Sequence, residues 1–403
     1  MQQAARQIYL DHNATTPIDS AVVRVMRPFE TSAYGNPGSF HSKGKEAKDA
    51  IDASRQWIAQ WMGAREDEIL FTGSGTESDN LAILGYARAH KDHGRHLVTT
   101  AIEHHAVLEP MQFLARKEGF DLTVVPVERN GIVDAKKVVD AIRPDTTIIS
   151  VMLANNEIGT IQPVEDIGRA IEKMRRDGRA PHVALHTDAC QAAAYLPLDI
   201  AKLHVDLLTL NGSKIYGPKG VGLLYAKRGV KLQPLMFGGS QEKALRPGTE
   251  NVAGIVGLAK ALEIVEQRRH RDEEHLRPLQ AMLIDGILNA ISKTRLNGDR
   301  EKRLPNNVNI SIMDLEGEAL ILYLDAAGIY VSTGSACTSA SLDPSHVILA
   351  LGMPYEVAHG SIRFSMGRST TKRDIIYVLK TLPPLVQKLR SISPVHVDPK
   401  YYE

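Results

Sequence analysis

The chain has 403 residues, 43% of them hydrophobic, and 48 basic against 47 acidic residues for a formal net charge of +1. That length gives two or three domains with a substantial core, and the charge balance excludes electrostatic capture of nucleic acid or an anionic membrane surface. No run approaches the roughly 18 apolar residues of a membrane helix, the opening MQQAARQIYLDHNATT has no apolar leader, and two cysteines are too few for a disulfide framework, so a reducing, cytoplasmic setting is expected.

From residue 43 to 62, Ala47, Ala50, Ile51, Ser54, Trp57, Ile58, Trp61 and Met62 recur at three and four, with Gly63 as a stop, which predicts an amphipathic helix. Seven strand candidates then alternate with helical patterns: 68–73, 96–102, 122–127, 146–153, 182–189, 205–212 and 220–227. Strands separated by helices require crossovers, hence a mostly parallel α/β sheet between helices. Pro163 stands where a first helical turn begins. The loop LRPGTENVAG (245–254) breaks the pattern and a long charged helical stretch follows. We therefore expect a large domain over 16–260 and a smaller α+β domain over 261–403, joined by the N-terminal residues 1–15. The tail PVHVDPKYYE reads as frayed, and the charge run RRHRDEEHLR (268–277) as a solvated helix face.

Ligands of doubly wound sheets sit at the carboxyl ends of the strands. After the first strand TGSGTESDN supplies Gly73 and Gly75 for close backbone approach and Thr76 at a helix start, a pattern suited to a phosphate. Later strand ends supply His104 and His105, Asn155 and Asn156, Asp188 and Gln191, and Lys214 in a Gly-flanked turn. Singly, these have plainer readings as capped turns and structural polar groups. Together, an amine, a phosphate cradle, an imidazole and a carboxylate at one sheet edge point to pyridoxal 5'-phosphate: the amine bonds the cofactor, the carboxylate keeps its pyridine nitrogen protonated, and the imidazole stacks on its ring. Cys337 lies in VSTGSACTSAS (331–341), a Ser, Thr, Gly and Ala run with little core to bury, so its thiol is the candidate function. Cys190, beside Asp188, reads as a small buried residue under the cofactor. Fifteen histidines form no HExxH pattern, and no C-x-x-C occurs, so no metal is assigned.

YLDHNATTP (9–17), YGNPGSFHSKG (34–44), TGSGTESDNLAI (72–83), EHHAV (103–107), NNEIGTIQP (155–163), TDACQAAA (187–194), SKIYGPKGVG (213–222), RPGTEN (246–251), GSACTSAS (334–341) and IRFSMGRSTT (362–371) are ordered over nearly the whole chain. They resemble the cysteine desulfurases of the NifS/IscS type, group I, within the class V aminotransferase group of fold-type I pyridoxal phosphate enzymes. The resemblance implies a homodimer that converts L-cysteine to L-alanine and passes the sulfur, as a persulfide on Cys337 in a mobile loop at about 331–343, to an iron-sulfur scaffold protein or another acceptor. It implies that Lys214 anchors the cofactor and moves the substrate proton, with His104 as ring partner and second acid/base. Asp188 is implied to pair with the pyridinium and Gln191 with the ring hydroxyl. Gly75 and Thr76, with Asn211 and Ser213 before the lysine, are implied to hold the phosphate, and Thr249 to reach the partner subunit's phosphate. Asn155 is implied to face ring and substrate, and Asn36 and Arg363 to hold the substrate carboxylate, where a guanidinium fork forms two parallel charge-assisted bonds.

One departure stands out. The family usually has Ser-x-His-Lys where this chain has Asn211, Gly212, Ser213 and Lys214; both replacements still bond phosphate oxygens, so altered affinity or rate is expected rather than a different reaction. The rival readings are a related lyase or aminotransferase, selenocysteine lyase-like, that does not depend on Cys337, and a weakly active subunit that docks a scaffold.

Overall fold

Period-three-and-four patterning in the first hundred residues becomes the helix Ser42–Met62. The His41 ring accepts the Gly44 amide at its start, and Gly63, at φ 71°, ends it in a left-handed conformation that costs glycine no side-chain clash. The computed structural model describes residues 7–334, 344–394 and 396–401. Cys337 and the middle of its predicted loop lie outside the described residues.

The strands, in chain order, are β1 (Ile8–Tyr9), β2 (Ile69–Thr72), β3 (His96–Thr100), β4 (Asp121–Val125), β5 (Thr146–Ser150), β6 (Ala184–Asp188), β7 (Leu207–Asn211), β8 (Gly222–Ala226), β9 (Thr294–Leu296), β10 (Asn307–Ile312), β11 (Ile329–Tyr330) and β12 (Ser361–Ser365). The seven predicted strands are β2 to β8, and they form one sheet in the order β2-β8-β7-β6-β5-β3-β4. Only β8 runs antiparallel to its neighbours. Residues of β2, β3, β5 and β6 are buried throughout, as expected where helices cover both faces and the strands become continuous apolar runs. The carboxyl ends of β2, β3, β5, β6 and β7 therefore share one edge.

Beyond the sheet, β12-β10-β9 form an antiparallel unit and β1 pairs in parallel with β11. The helix Val252–Ala290 runs unbroken for 39 residues and packs against Ser20–Thr31, Ser42–Met62 and Lys372–Arg390, so residue 260 lies inside one continuous helix. Between the two sheets runs an N-terminal strap. His12 N donates to Ser365 O of β12, while Thr16 N and Asp19 N donate to Ser213 O and Tyr216 O of the lysine turn. Within the tail, Val397 is buried among Met313, Leu351 and Val357, and its amide donates to Asp314 Oδ1 at 2.8 Å.

Candidate active site

At the shared strand edge lies a cavity of about 280 Å³. After β2, Ser74 caps the next helix by accepting the Glu77 amide, and the Glu77 carboxylate takes the Gly73 amide at 2.8 Å and Arg246 Nε at 3.0 Å. Gly75 opens the cavity wall. A Cβ there would sit 2.7 Å from Cys190 Sγ and 3.0 Å from Asn211 Nδ2, so only glycine keeps this cradle clear.

After β3, His104 caps the helix His105–Lys117; its Nδ1 accepts the Ala106 amide at 3.1 Å, which places the ring proton on Nε2. Burial lowers the His104 pKa, against the opposing pull of the Asp188 charge, and the imidazole is neutral. Asp188 ends β6 and accepts the Cys190 amide at 2.8 Å. Cys190 is buried beside it, and burial pushes its thiol well above the usual range. After β7, the turn Gly212–Lys214 delivers the amine, and Lys214 Nζ donates to the carbonyls of Asn13 and Ala14 at 2.8 and 2.5 Å. Ser213, Asn211 and Thr76 line the same space.

From β12, Arg363 enters the cavity from the smaller sheet. Its Nη2 pairs with Asp11 Oδ1 at 2.8 Å, its Nη1 donates to Asn156 O at 3.1 Å, and its buried Nε has no hydrogen-bond partner among the described residues. Asp79 also lines the wall, its Oδ1 3.5 Å from His186 Nε2; burial first and Asp188 second raise its pKa well above the usual carboxylate value.

The cavity thus brings together Gly75, Thr76, His104, Asp188, Gln191, Asn211, Ser213, Lys214 and Arg363. Two residues expected in this cavity stand elsewhere. Asn155 is wholly buried behind the wall, its Nδ2 donating to Ile102 O and its Oδ1 accepting the amides of Glu157 and Ile158, while its neighbour Asn156 lines the cavity. Asn36 is exposed, with Oδ1 turned back onto the Gly38 amide; Thr249, expected at the partner subunit's phosphate, is exposed on its loop. Sequence reasoning assigned no role to Asn13, Ala14 or Asp79. DHNATT and TESDN held them in plain view, but nothing in composition or spacing gave them a partner.

The profile of class-V aminotransferases matches residues 8–378. The chain belongs to the class-V aminotransferase family. Membership carries dependence on pyridoxal phosphate. The amine of Lys214, the carboxylate of Asp188 and a cradle kept clear at Gly75 line one cavity and fit such a group. Among similar family proteins, the chain is 48% identical over 389 residues to a cysteine desulfurase IscS of Dictyoglomus turgidum, covering 96% of this chain and 97% of the relative. A solved NifS-like protein superposes with a TM-score of 0.88 at 36% identity, over 95% of this chain and all of that one. A structure of SspA in complex with cysteine superposes at 0.78 with 34% identity, over 91% of this chain and all of that one.

Proposed function

We propose that this enzyme is a cysteine desulfurase, which converts L-cysteine to L-alanine and hands the sulfur on as a persulfide of Cys337. The observation that carries the reading is the convergence of Lys214, Asp188, His104 and Arg363 on one cavity. The names of its relatives, and the cysteine bound in the solved SspA structure, support the same substrate.

Pyridoxal phosphate, when bound, supplies an electron sink for the carbon that loses its proton. Asp188 would hold the charge of its ring nitrogen, Gln191 would serve its ring hydroxyl, and Gly75, Thr76, Asn211 and Ser213 would hold its phosphate. Arg363 receives the substrate carboxylate. Lys214 would anchor the cofactor through its amine and, once that amine is free, would take the substrate Cα proton. His104, kept neutral by burial, serves as the second acid/base. The Cys337 thiolate attacks the substrate sulfur; an S–S bond forms, the C–S bond breaks with its electrons on Cβ, and alanine is complete once one proton is delivered to Cβ and the proton taken by Lys214 is returned to Cα.

The assembly we propose is a homodimer. Phe40 and Phe237 are 107% and 88% exposed, and the loops beside them, at Pro37–Gly38 and Ser240–Gln241, flank one pocket shared with Glu250, next to Thr249. In this reading a second copy covers these rings, and Thr249 serves the partner subunit's phosphate. The sulfur acceptor in this reading is an iron-sulfur scaffold protein or another thiol, met in the cytoplasm, where Cys337 stays reduced. None of the helices among the described residues is long and apolar enough to cross a membrane.

Sulfide and alanine released from L-cysteine in the presence of a reducing thiol test the proposal. Equal yields are expected, with at least about a thousandfold loss in both Lys214→Ala and Cys337→Ser, and with the visible cofactor band kept in Cys337→Ser. Normal turnover by Cys337→Ser would replace the persulfide route with a lyase that does not use this thiol.

A further inference from the structure

One short segment of the strap meets both cations of the cavity. Asp11 pairs with Arg363, and two and three residues later the carbonyls of Asn13 and Ala14 accept Lys214 Nζ. Asn13 is 2% exposed and tied at every polar atom of its side chain and amide: Nδ2 donates to Asn156 O at 2.9 Å, Oδ1 accepts from Asn306 Nδ2 at 2.7 Å, and its backbone N donates to Ser365 Oγ at 2.9 Å. Its carbonyl also accepts Gln191 Nε2 at 3.0 Å. Two fixed carbonyls aimed at one amine act in one electrostatic sense. They favour the ammonium, whose N–H groups they accept, over the neutral amine.

We propose that the Asn13 and Ala14 carbonyls form a holding site for Lys214 as the ammonium, and that Asn13 is the positioning residue that sets how firmly the amine is held. The proposal rests on the reading of Lys214 as the cofactor-anchoring lysine. Before it bonds the cofactor, the held amine must release one proton to water; its lone pair then adds to the aldehyde carbon and the aldehyde oxygen leaves as water. During turnover the same two carbonyls receive the amine while the substrate amine occupies its place, and keep it within reach. Asn13 is tied to β12 at Ser365, two residues from Arg363, so the strand that meets the substrate carboxylate also fixes the site that holds the lysine.

The test mixes cofactor-free full-length protein with pyridoxal phosphate and follows the growth of the visible band of the lysine-linked cofactor from about pH 6 to about pH 9. The link is fixed with borohydride and located by peptide mass. Asn13→Ala leaves both carbonyls but frees the segment that carries them, and Asn306→Ala removes one of its ties. Expected is a downward move of the rate's pH midpoint by about one unit in Asn13→Ala, equal to about tenfold faster capture at pH below both midpoints, and a smaller move in the same direction in Asn306→Ala. Should Asn13→Ala not fold, Asn306→Ala carries the test with the same sign. An unmoved midpoint with the link intact at Lys214, even if the overall rate changes, overturns the holding site. Fixation at another lysine, or at none, in the wild-type chain overturns the reading of Lys214 instead.

Discussion

At the carboxyl edge of the large sheet, ionisable groups are buried, crowded and incompletely paired; on the outer helices the same chemical groups are exposed and matched. Glu103 Oε2 and Arg363 Nε lie buried at or behind the cavity with no hydrogen-bond partner among the described residues, and Asp79 Oδ1 lies 3.5 Å from the His186 ring. His186, two residues before Asp188 on β6, has its pKa pushed down to about 3 by burial alone, with its ring held between Ser150 Oγ and Thr209 Oγ1. By contrast, Lys45–Asp49, Lys48–Asp52 and Lys136–Asp140 are neat (i, i+4) pairs in water. A net charge of +1 conceals both populations. The contrast points to function: at this edge buried ionisable groups gather incompletely paired, whereas buried ions elsewhere, such as Asp272 with Arg368 and Arg55 with Glu242, are matched, and incomplete pairing lowers stability locally.

Removing one buried acid is the strongest way to sharpen the contrast. Glu103 accepts from Thr100 Oγ1 at 2.6 Å and from the Met152 amide at 2.9 Å, yet burial outweighs both and pushes its pKa up to about 8. Below the ordinary glutamate value, folded and unfolded chains both carry the proton and the group is neutral to stability. Between that value and about 8 the unfolded chain loses the proton while the folded chain keeps it, so stability falls as pH rises across this window and levels off above it. Glu103→Gln, which cannot ionise, is expected to be more stable than the wild type at about pH 8.5 by on the order of 2–4 kcal/mol, with the gap closing near pH 5. Urea unfolding at the two pH values measures it; equal gaps at both would mean that Glu103 is already ionised in the folded chain.

Next in size is Gly75→Ala, which fills the cradle rather than changing charge. The added methyl meets Cys190 Sγ at 2.7 Å and Asn211 Nδ2 at 3.0 Å, an overpacking of about 1–3 kcal/mol if the wall is to hold its shape. Cofactor affinity, measured by equilibrium titration of the visible band, is expected to fall about tenfold. Cys190→Ala in the same chain removes the nearer clash and recovers part of the loss. Undiminished affinity in Gly75→Ala would show that the cradle does not touch the cofactor.

Much of this edge was legible because strands advertise themselves. Apolar runs ending in TGSG, EHH, TDACQ and NGSK placed Gly75, His104, Asp188 and Lys214 on one side of a parallel sheet before any coordinate was known, and the seven strands follow those runs to within a few residues. What escaped depends on contacts between distant segments. Asn13 reaches Lys214 across 201 positions through a strap without regular structure, and β1 and β9, two and three residues long, are too short to show a period. Asn155 and Asn156 are chemically identical neighbours, and the turn that consumes one side chain decides which faces the cavity. In RRHRDEEHLR, Asp272 is not solvated: it is buried against Arg368 Nε at 2.7 Å, a pairing no alternation of signs could reveal. Val397 gave the tail one apolar anchor among polar residues.

The smallest expected effect comes from the other side of the contrast. Lys45 and Asp49 lie 2.7 Å apart with side chains 72% and 59% exposed, so the attraction is weakened by water and offset by the entropy of holding two long chains together. Lys45 also sits in the first turn of Ser42–Met62, where the unpaired amides of the helix start already carry positive charge. Its pairing and its position therefore oppose each other. A double-mutant cycle of Lys45→Ala and Asp49→Ala is expected to give a coupling below about 0.5 kcal/mol that vanishes in about 1 M salt, while cofactor affinity and sulfide release stay unchanged. A coupling as large as the stability change expected for Glu103→Gln would erase the distinction between the two regions, because the surface pair would then be holding the fold and not merely solvating it.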